Sequence, residues 1–295
     1  QDTGRGRTIM DQAQGIRQMN ASKPVRVMAV TSGKGGVGKS NITVNLAVAM
    51  AQDGENVIVM DADLGLANID VLLGLSPKLN LSHVIQGECT LEEIIIDGPG
   101  GIKIIPASSG SVSMSDLTPA ENAGVIRSFS ELTQPVDTLL IDTAAGLSNG
   151  VVSYLRAARE VIVVVCDEPA SITDAYAMIK VMNRDFGVLR FHVLANQTHS
   201  IQQGRELYMK LFKVSEKYLD ATLDFLGSVP YDDYLKKAVQ KQKCVIETYP
   251  RSPSAMALRQ IAKKALQWPI PKTMEGHLEF FIERLVNYST QDSRL

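Results

Sequence analysis

Short apolar runs alternate along the chain with segments of helical periodicity. Several runs are apolar at nearly every position, which is typical of strands buried on both faces of a parallel sheet. The predicted strands are residues 25–30, 56–60, 102–105, 138–141, 161–165, 190–194 and 223–229. The repeated strand–helix order predicts an α/β fold with a doubly wound, mostly parallel sheet and helices on both faces.

Three helix starts carry capping signals. Thr118 and Glu121 have the spacing of a capping box, with a proline at the first helical position. Ser171 begins a Ser-Ile-Thr-Asp segment that is similar to a helix N-terminus, and Ser252 precedes another proline. These signals predict helices that follow the strands closely.

Nothing in the sequence divides the predicted core. There is no internal repeat and no low-complexity linker, so we predict one domain over residues 23–275 with tails at 1–22 and 276–295. Residues 1–7, which are rich in glycine and arginine, are left out of the fold prediction.

Composition and charge narrow the class of protein. The 295 residues are 45% hydrophobic, and the net charge of −2 lacks the basic surplus of proteins that hold DNA through general electrostatics. Apolar runs fall short of the roughly 18 residues of a membrane span, and the N-terminus shows no signal-peptide pattern. We therefore expect a soluble, cytoplasmic protein.

The cysteines are scattered, as is typical of reduced thiols rather than disulfides or a metal site: Cys89, Cys166 and Cys244.

The segment after the first predicted strand carries the clearest chemistry. Residues 33–40 match G-x-x-x-x-G-K-[ST], and a helix is predicted from Lys39 to Gln52. Glycines let backbone N–H groups turn toward an anion, and the helix points its positive end at the same place. We expect Lys39 to reach the β- and γ-phosphates of ATP and Ser40 to ligate Mg²⁺. A glycine turn without a ligand is the alternative. The predicted ATP-binding residues of this loop are Gly33, Lys34, Gly35, Gly36, Val37, Gly38, Lys39, Ser40 and Asn41.

Carboxylates end two of the predicted strands. Asp142 follows a buried apolar run, where an aspartate can hold a magnesium-bound water. Asp61 and Asp63 end another strand and are candidates for orienting the attacking water. A strand cap and a solvated turn are the respective alternatives.

The phosphate loop contains a second lysine. Residues 34–40, KGGVGKS, resemble the deviant Walker A motif K-G-G-x-G-K-[ST] of the MinD/ParA ATPases. In that family ATP is held between two subunits, and the first lysine crosses to the partner's phosphates. The resemblance implies that Lys34 acts in trans on dimerisation, whereas Lys39 serves the nucleotide of its own subunit. A surface lysine without this role is the alternative.

Other segments resemble the family by position. Residues 61–68, DADLGLAN, resemble its switch I, which implies the water-positioning role for Asp63, and residues 142–146 resemble switch II. The implied Mg²⁺ site comprises Ser40, Asp63 and, through a water, Asp142. A second set of residues resembles the loops that hold adenine in this family: Asn196, Pro230, Tyr231 and Asp232. Ordinary turn chemistry is the alternative for this set.

A narrower resemblance covers almost the whole chain. Residues 61–68, 166–176, 229–232 with 237–242, and 277–281 are similar to segments of the FlhG/FleN family of flagellum-number regulators. The resemblance implies that this chain is a slow, Mg²⁺-dependent ATP hydrolase that is activated by dimerisation. It also implies that the ATP state restrains a σ54-dependent flagellar transcription activator of the FlrA/FleQ type and so limits flagellum number.

The N-terminal tail resembles a partner-binding motif of the same family. Residues 11–17, DQAQGIR, are similar to D-Q-A-x-x-L-R, with isoleucine in place of leucine. The resemblance implies a short helix that binds the SRP-type GTPase FlhF and stimulates its GTP hydrolysis, with contacts from Asp11, Gln12 and Arg17. A tail without a role is the alternative.

Residues 277–288 predict an amphipathic helix. Its apolar face, at the spacing i, i+3, i+4 and i+7, comprises Leu278, Phe281, Ile282 and Leu285. This face is suited to a membrane interface, and relatives of the MinD type use such a helix as a nucleotide-switched anchor. The resemblance implies reversible binding at the inner face of the cell membrane, near the pole. A helix packed on the core is the alternative.

Two other functions remain open at this stage. A ParA-type partition ATPase would bind non-specific DNA, although the net charge disfavours strong nucleic-acid binding. An iron–sulfur scaffold ATPase would need paired cysteines, which the spacing does not provide. Four lysines near residue 240 are either a solvated face or a contact surface for DNA or an acidic partner: Lys236, Lys237, Lys241 and Lys243.

Overall fold

The computed structural model describes residues 24–63, 68–107, 118–270 and 278–292. Eight strands within these residues form one sheet: β1 Arg26–Thr31, β2 Val57–Ala62, β3 Ile96–Asp97, β4 Lys103–Ile105, β5 Thr138–Thr143, β6 Glu160–Val165, β7 Arg190–Thr198 and β8 Thr222–Pro230. Their spatial order is β3-β4-β2-β5-β1-β6-β7-β8. All neighbours are parallel except the edge pair of β3 and β4, which is antiparallel.

Helices connect most of these strands. Those in the described residues are α1 Lys39–Gln52, α2 Asn68–Leu73, α3 Leu81–Ile85, α4 Leu91–Ile94, α5 Pro119–Ser130, α6 Asn149–Ala157, α7 Pro169–Arg184, α8 Ile201–Tyr218, α9 Asp233–Gln240, α10 Val245–Thr248, α11 Pro253–Leu266 and α12 Leu278–Asp292. A 3₁₀ turn covers Pro99–Gly101.

The sheet is covered on both faces, as predicted. Strands β1, β2, β5 and β6 are buried at every position, so their side chains alternate between two separate apolar clusters. One cluster packs against α1 and α11, and the other packs against α5 to α8 and α12. The predicted doubly wound α/β fold is therefore confirmed.

Three local features differ from the prediction or refine it. The antiparallel edge strand β3 was not predicted, because two residues are too short to show a period. Helix α7 begins at Pro169 and not at Ser171, whose hydroxyl instead accepts a hydrogen bond from the Cys166 backbone N–H. The capping box of Thr118 and Glu121 is present as predicted.

The apolar face of α12 lies in the core of the described structure. Leu278, Phe281, Ile282 and Leu285, the residues predicted to meet a membrane, are buried in the cluster that includes α6. The Arg156 guanidinium lies 3.9 Å from the centre of the Tyr288 ring, which ties α6 to α12. The packed arrangement that the sequence left as an alternative is thus the one seen here.

Some predicted features lie outside the described residues. These are Asp11, Gln12 and Arg17 of the N-terminal motif, residues 64–67 of the segment that resembles switch I, and residue 277. None of the helices that the structure describes combines the length and the apolar character needed to cross a bilayer.

Candidate nucleotide site

The glycine-rich loop joins β1 to α1 as predicted. Gly36 and Gly38 have φ angles of +82° and +87°, a left-handed conformation that glycine adopts without steric cost. No side chain among the described residues caps α1, whose N-cap is Gly38. The N–H groups of its first turn are therefore available to an anion, together with the positive end of the helix.

Gly33 and Gly38 are also needed for packing behind the loop. A Cβ at Gly33 would lie 2.3 Å from the Ala175 backbone nitrogen in α7, so only glycine allows this approach. A Cβ at Gly38 would lie 2.6 Å from Asn196 Nδ2, which donates a hydrogen bond to the Val37 carbonyl at 2.8 Å. Asn196, which was predicted to lie near adenine, thus stabilises the phosphate loop through this hydrogen bond.

Lys39 is buried against a strand-end carboxylate. Its ammonium donates to Asp142 Oδ1 at 2.8 Å, and the two side chains are 8% and 0% exposed. Thr43, one helical turn after Lys39, donates to the same oxygen at 3.1 Å. Ser40 Oγ lies 3.5 Å from the lysine nitrogen. The structure therefore brings together Lys39, Ser40 and Asp142, the residues predicted to hold phosphate and Mg²⁺.

The second oxygen of Asp142 fits a metal-bound water. Among the described residues, Asp142 Oδ2 is buried and has no hydrogen-bond partner. A buried carboxylate oxygen without a partner is costly, so an oxygen in this setting fits a bound polar group. Ser40 and Asp142 supply the hard oxygen donors that Mg²⁺ prefers. The residues present therefore fit the predicted Mg²⁺ and nucleotide.

Asp61 lies beside Asp142 on the neighbouring strand. The two residues are directly paired in the register of β2 and β5. Burial, together with the Asp142 charge, raises the pKa of Asp61 to about 7, although N–H groups of Ile69 and Asp63 donate to its carboxylate. This edge of the sheet therefore carries negative charge that a cation would relieve.

Asp63 lies just beyond the end of β2. Its Oδ2 accepts a hydrogen bond at 2.7 Å from Asn68, the first residue of α2. This hydrogen bond ties the start of α2 to the end of β2. Residues 64–67, which lie between the two in sequence, are outside the described residues. The predicted hydrolytic and metal-binding roles of Asp63 stay predictions.

Lys34 occupies a different environment from Lys39. Its ammonium donates to Glu168 Oε2 at 2.9 Å, and these side chains are 44% and 60% exposed. The hydrogen bond with Glu168 raises the pKa of Lys34, so the side chain stays cationic. Exposed ion pairs of this kind are weak. Lys34 is therefore a charged side chain at the surface of the loop, held by a partner that it can exchange for another.

The second loop predicted to hold adenine follows β8. Asp232 caps α9 and also accepts hydrogen bonds from the backbone and hydroxyl of Ser254. Although burial alone would raise the pKa of Asp232, these bonds and that of the Tyr234 N–H hold it below its usual range. The Asp232 carboxylate therefore ties α9 to α11. Pro230 and Tyr231 lie at the end of β8, and the Tyr231 ring is exposed.

Two residues of the site were not predicted. Thr43 shares Asp142 with Lys39, and its place four residues after Lys39 on α1 is a signal that could have found it. Glu168 pairs with Lys34 across 134 positions of sequence, a separation that leaves no local signal.

The cysteines lie in separate places in the described structure, Cys166 and Cys244 buried and Cys89 half-buried. Within the part of the chain that the structure describes, no group of three or more His, Cys, Asp or Glu side chains is arranged to hold a metal ion. Burial raises the pKa of Cys166 to about 11 and that of Cys244 to about 12, so both thiols stay protonated.

Comparison with known proteins agrees with this geometry. A family model described as ParA, NUBPL iron-transfer P-loop NTPase, matches residues 23–266. The chain therefore belongs to the MinD/ParA family of P-loop ATPases. Within that family, antiactivator FleN of Pseudomonas aeruginosa is 54% identical over 278 residues, which cover 94% of this chain and 99% of FleN. Flagellum site-determining protein YlxH of Helicobacter pylori is 34% identical, covering 89% and 90%.

Solved structures show the same fold. The MinD structure from Pyrococcus horikoshii, complexed with Mg-ADP, has a TM-score of 0.64 and 26% identity, over 81% of this chain and 95% of that one. The MinC–MinD complex of Aquifex aeolicus has a TM-score of 0.66 at 24% identity, covering 84% and 99%. The predicted resemblance to MinD/ParA ATPases and to flagellar regulators is confirmed.

Proposed function

We propose that this chain is a flagellar regulatory ATPase that dimerises around ATP. The observation that carries the proposal is the contrast between its two loop lysines. Lys39 is buried on Asp142, at the metal-binding side of the loop, whereas Lys34 is exposed and held only by a surface ion pair. A lysine that is charged, exposed and weakly held at the phosphate loop is suited to reach a phosphate on a second subunit.

Different residues of the site bind the phosphates, bind the metal ion and position the water. Backbone N–H groups of the loop and the first turn of α1 bind the phosphates, and Lys39 moves from Asp142 to the β- and γ-phosphate oxygens. Ser40 and Asp63 would hold the Mg²⁺ and Asp142 would hold one of its waters, and the ion would neutralise charge on the phosphate oxygens. Asp63 orients the attacking water, and Lys34 stabilises phosphate charge on the partner's nucleotide. Because the second cation arrives only in the dimer, turnover by the single chain is slow.

The flagellar role rests on the relatives. FleN is named an antiactivator and YlxH a flagellum site-determining protein. By analogy, the ATP-bound dimer restrains a σ54-dependent flagellar transcription activator and thereby limits flagellum number. The N-terminal motif with Asp11, Gln12 and Arg17 stimulates the GTPase FlhF.

Membrane binding would require α12 to leave the core. Its buried face includes Phe281, Ile282 and Leu285, each of which costs about 1.5–3 kcal/mol to expose. Release is therefore favourable only when a membrane receives the same face. Co-sedimentation with vesicles containing acidic phospholipid, in ATP and in ADP, tests this step. We expect vesicle binding only with ATP, and equal binding by a chain truncated at residue 275 would contradict it.

Sedimentation velocity in ADP and in ATP tests the central proposal. The wild-type chain should be monomeric with ADP and dimeric with ATP. Asp63→Ala should persist as an ATP-bound dimer, because hydrolysis no longer separates the subunits. Lys34→Ala should bind a fluorescent ATP analogue and remain a monomer.

Matched variants separate these roles from general effects. Lys213→Ala removes an exposed lysine of α8 and should dimerise as the wild type does. Lys39→Ala should lose nucleotide binding itself. A monomeric Asp63→Ala chain in ATP, or a Lys34→Ala chain that dimerises normally, would overturn the proposal.

A further inference from the structure

Lysine and tyrosine side chains contact one another along α9 and the segments on either side of it. Lys236 Nζ lies 4.2 Å from the centre of the Tyr231 ring, and Lys237 Nζ lies 5.3 Å from that of Tyr234. We call this surface the lysine–tyrosine face. Its members are Tyr231, Tyr234, Lys236, Lys237, Lys241, Lys243 and Tyr249.

The tyrosines fix the positions of the lysines. Lys241 Nζ lies 5.5 Å from the centre of the Tyr249 ring and donates to its hydroxyl at 3.1 Å, and Lys236 bonds the Tyr231 hydroxyl. A free lysine samples many rotamers, and ordering it costs conformational entropy. Ammonium groups already held by rings and hydroxyls have lost much of that freedom before a ligand arrives. Their remaining N–H donors are available to an incoming anion.

The charge of this face is opposite in sign to the net charge of the protein. The whole protein has a net charge of −2, whereas the face carries four lysines. Asp233 and Glu247 are the exposed carboxylates of this stretch, and Asp232 is buried and bound to Ser254. A local cationic surface on a protein of negative net charge attracts an anionic partner.

The tyrosine rings do not suit nucleic acid. Single-stranded nucleic acid binds such surfaces by stacking bases on exposed aromatic faces. Here Tyr231 and Tyr234 carry lysines over their rings, and Tyr249 packs against Tyr234 with centroids 5.0 Å apart. Bases could stack only by displacing the ammonium groups that would hold the phosphates. Carboxylates need only those ammonium groups.

Gln242, between the last two lysines, links the face to the nucleotide site. It is one of two non-glycine residues with positive φ among those described, at +54°. Its side chain donates to the Val71 carbonyl near the end of α2 at 2.9 Å, and a Cβ at Gly74 would lie 2.9 Å from it. Asn68, at the other end of α2, is bonded to Asp63. A strained residue held by such contacts is typical of a functional position.

We propose that the lysine–tyrosine face binds a carboxylate-rich segment of a partner protein. Through Gln242 and α2, the position of Asp63 sets how Lys241 and Lys243 are presented. This second statement rests on the proposed function, since it requires Asp63 to shift between nucleotide states. The binding of the acidic segment does not depend on it.

Fluorescence anisotropy with two labelled probes tests the proposal. One probe is a 12-residue peptide of repeated Glu-Glu-Gly, and the other is a 12-nucleotide single strand of thymidine. We expect the full chain to bind the peptide more tightly than the oligonucleotide at about 0.15 M salt. The charge-reversal variant K236E/K237E/K241E should weaken peptide binding at least about tenfold.

A matched variant controls for net charge. Lys180, Lys213 and Lys217 are exposed on α7 and α8, and K180E/K213E/K217E makes the same change in charge away from the face. Its peptide affinity should stay within about twofold of wild type. Equal losses in both triple variants would reduce the effect to general electrostatics and overturn the proposal. Preferred binding of the oligonucleotide would assign the face to nucleic acid and also overturn it.

The tyrosine and glutamine contacts are tested separately. Y234L/Y249L keeps every charge and should weaken the peptide about threefold if the rings pre-order the lysines. Gln242→Gly keeps a residue that tolerates positive φ but removes the bond to α2. The wild-type chain should bind the peptide with different affinities in ATP and in ADP, and the variant should bind it with one affinity in both. Equal wild-type affinities, or a difference that survives in the variant, would contradict the coupling. A chain that binds the peptide but does not dimerise would refute the proposed function alone.

Discussion

The sheet has an amino edge, where its parallel strands begin, and a carboxyl edge, where they end, and both bury titratable side chains. At the amino edge, His192 Nε2 lies 2.8 Å from Glu160 Oε2, and the His192 ring stacks on Trp268 at 3.8 Å. At the carboxyl edge, Asp142 keeps one buried oxygen without a partner among the described residues, and the pKa of Asp61 is raised to about 7. His192 and Glu160 are hydrogen-bonded to each other within the chain, whereas the Asp142 oxygen is available to a ligand.

This difference separates residues that stabilise the fold from residues that bind. A buried charge with a partner of opposite sign belongs to the folded chain and destabilises it when the partner is removed. A buried charge without one costs stability until something binds. Buried polar side chains at the two edges therefore predict different responses to mutation.

The largest effect should be on stability at the amino edge. His192→Ala removes the hydrogen bond to the buried Glu160 and the stacked contact with Trp268, which should lower the free energy of unfolding by about 3 kcal/mol. Urea unfolding measures the loss, and nucleotide affinity should be unchanged. His192→Gln, which keeps a hydrogen-bond donor, should lose less. A comparable loss of nucleotide affinity would contradict the proposed difference between the two edges.

The next effect concerns pH and Asp61. Because its pKa is higher in the folded chain than in the unfolded one, the folded chain binds more protons, and stability falls as pH rises from about 4 to about 7. Asp61→Asn removes this dependence. Between pH 5 and pH 8, the nucleotide-free variant should gain on the order of 2 kcal/mol relative to wild type. Thermal unfolding across this range measures it, and parallel pH profiles would show that Asp61 is not responsible.

A binding effect without a stability effect is expected at Ser40. Ser40→Ala removes a predicted Mg²⁺ ligand that makes one long contact, to Lys39. Affinity for ATP with Mg²⁺ should fall about tenfold, and the free energy of unfolding should stay within about 0.5 kcal/mol. Titration with and without Mg²⁺ distinguishes the cases. An equal loss in both would mean that Ser40 does not act through the metal.

The smallest effect is expected at Glu168. Glu168→Gln removes the charge that holds Lys34 and should lower the protein concentration for half-maximal ATP-dependent dimerisation about two- to threefold, since exposed ion pairs are weak. Sedimentation at several concentrations measures it. Glu206→Gln, at an exposed position on α8, is the control. Weaker dimerisation would indicate that Glu168 itself contributes to the dimer.

The strands and the phosphate loop could be predicted because their signals are local. Continuous apolar runs gave seven of the eight described strands, and the loop motif lies between a strand and a helix where its chemistry requires it. Lys34 and Glu168 could not be paired in advance, because their contact depends on how α7 lies beside the loop. The start of α7 was misplaced because Ser171 resembles a cap, although Pro169 fits the first turn better.

The packing of α12 has a consequence for synthesis of the chain. Residues 278–292 supply Phe281, Ile282 and Leu285 to the same cluster as α6, which lies more than a hundred positions earlier. While a ribosome is still making the intervening residues, that apolar surface has no cover. The apolar surface that α12 covers therefore stays exposed during translation until this late helix emerges.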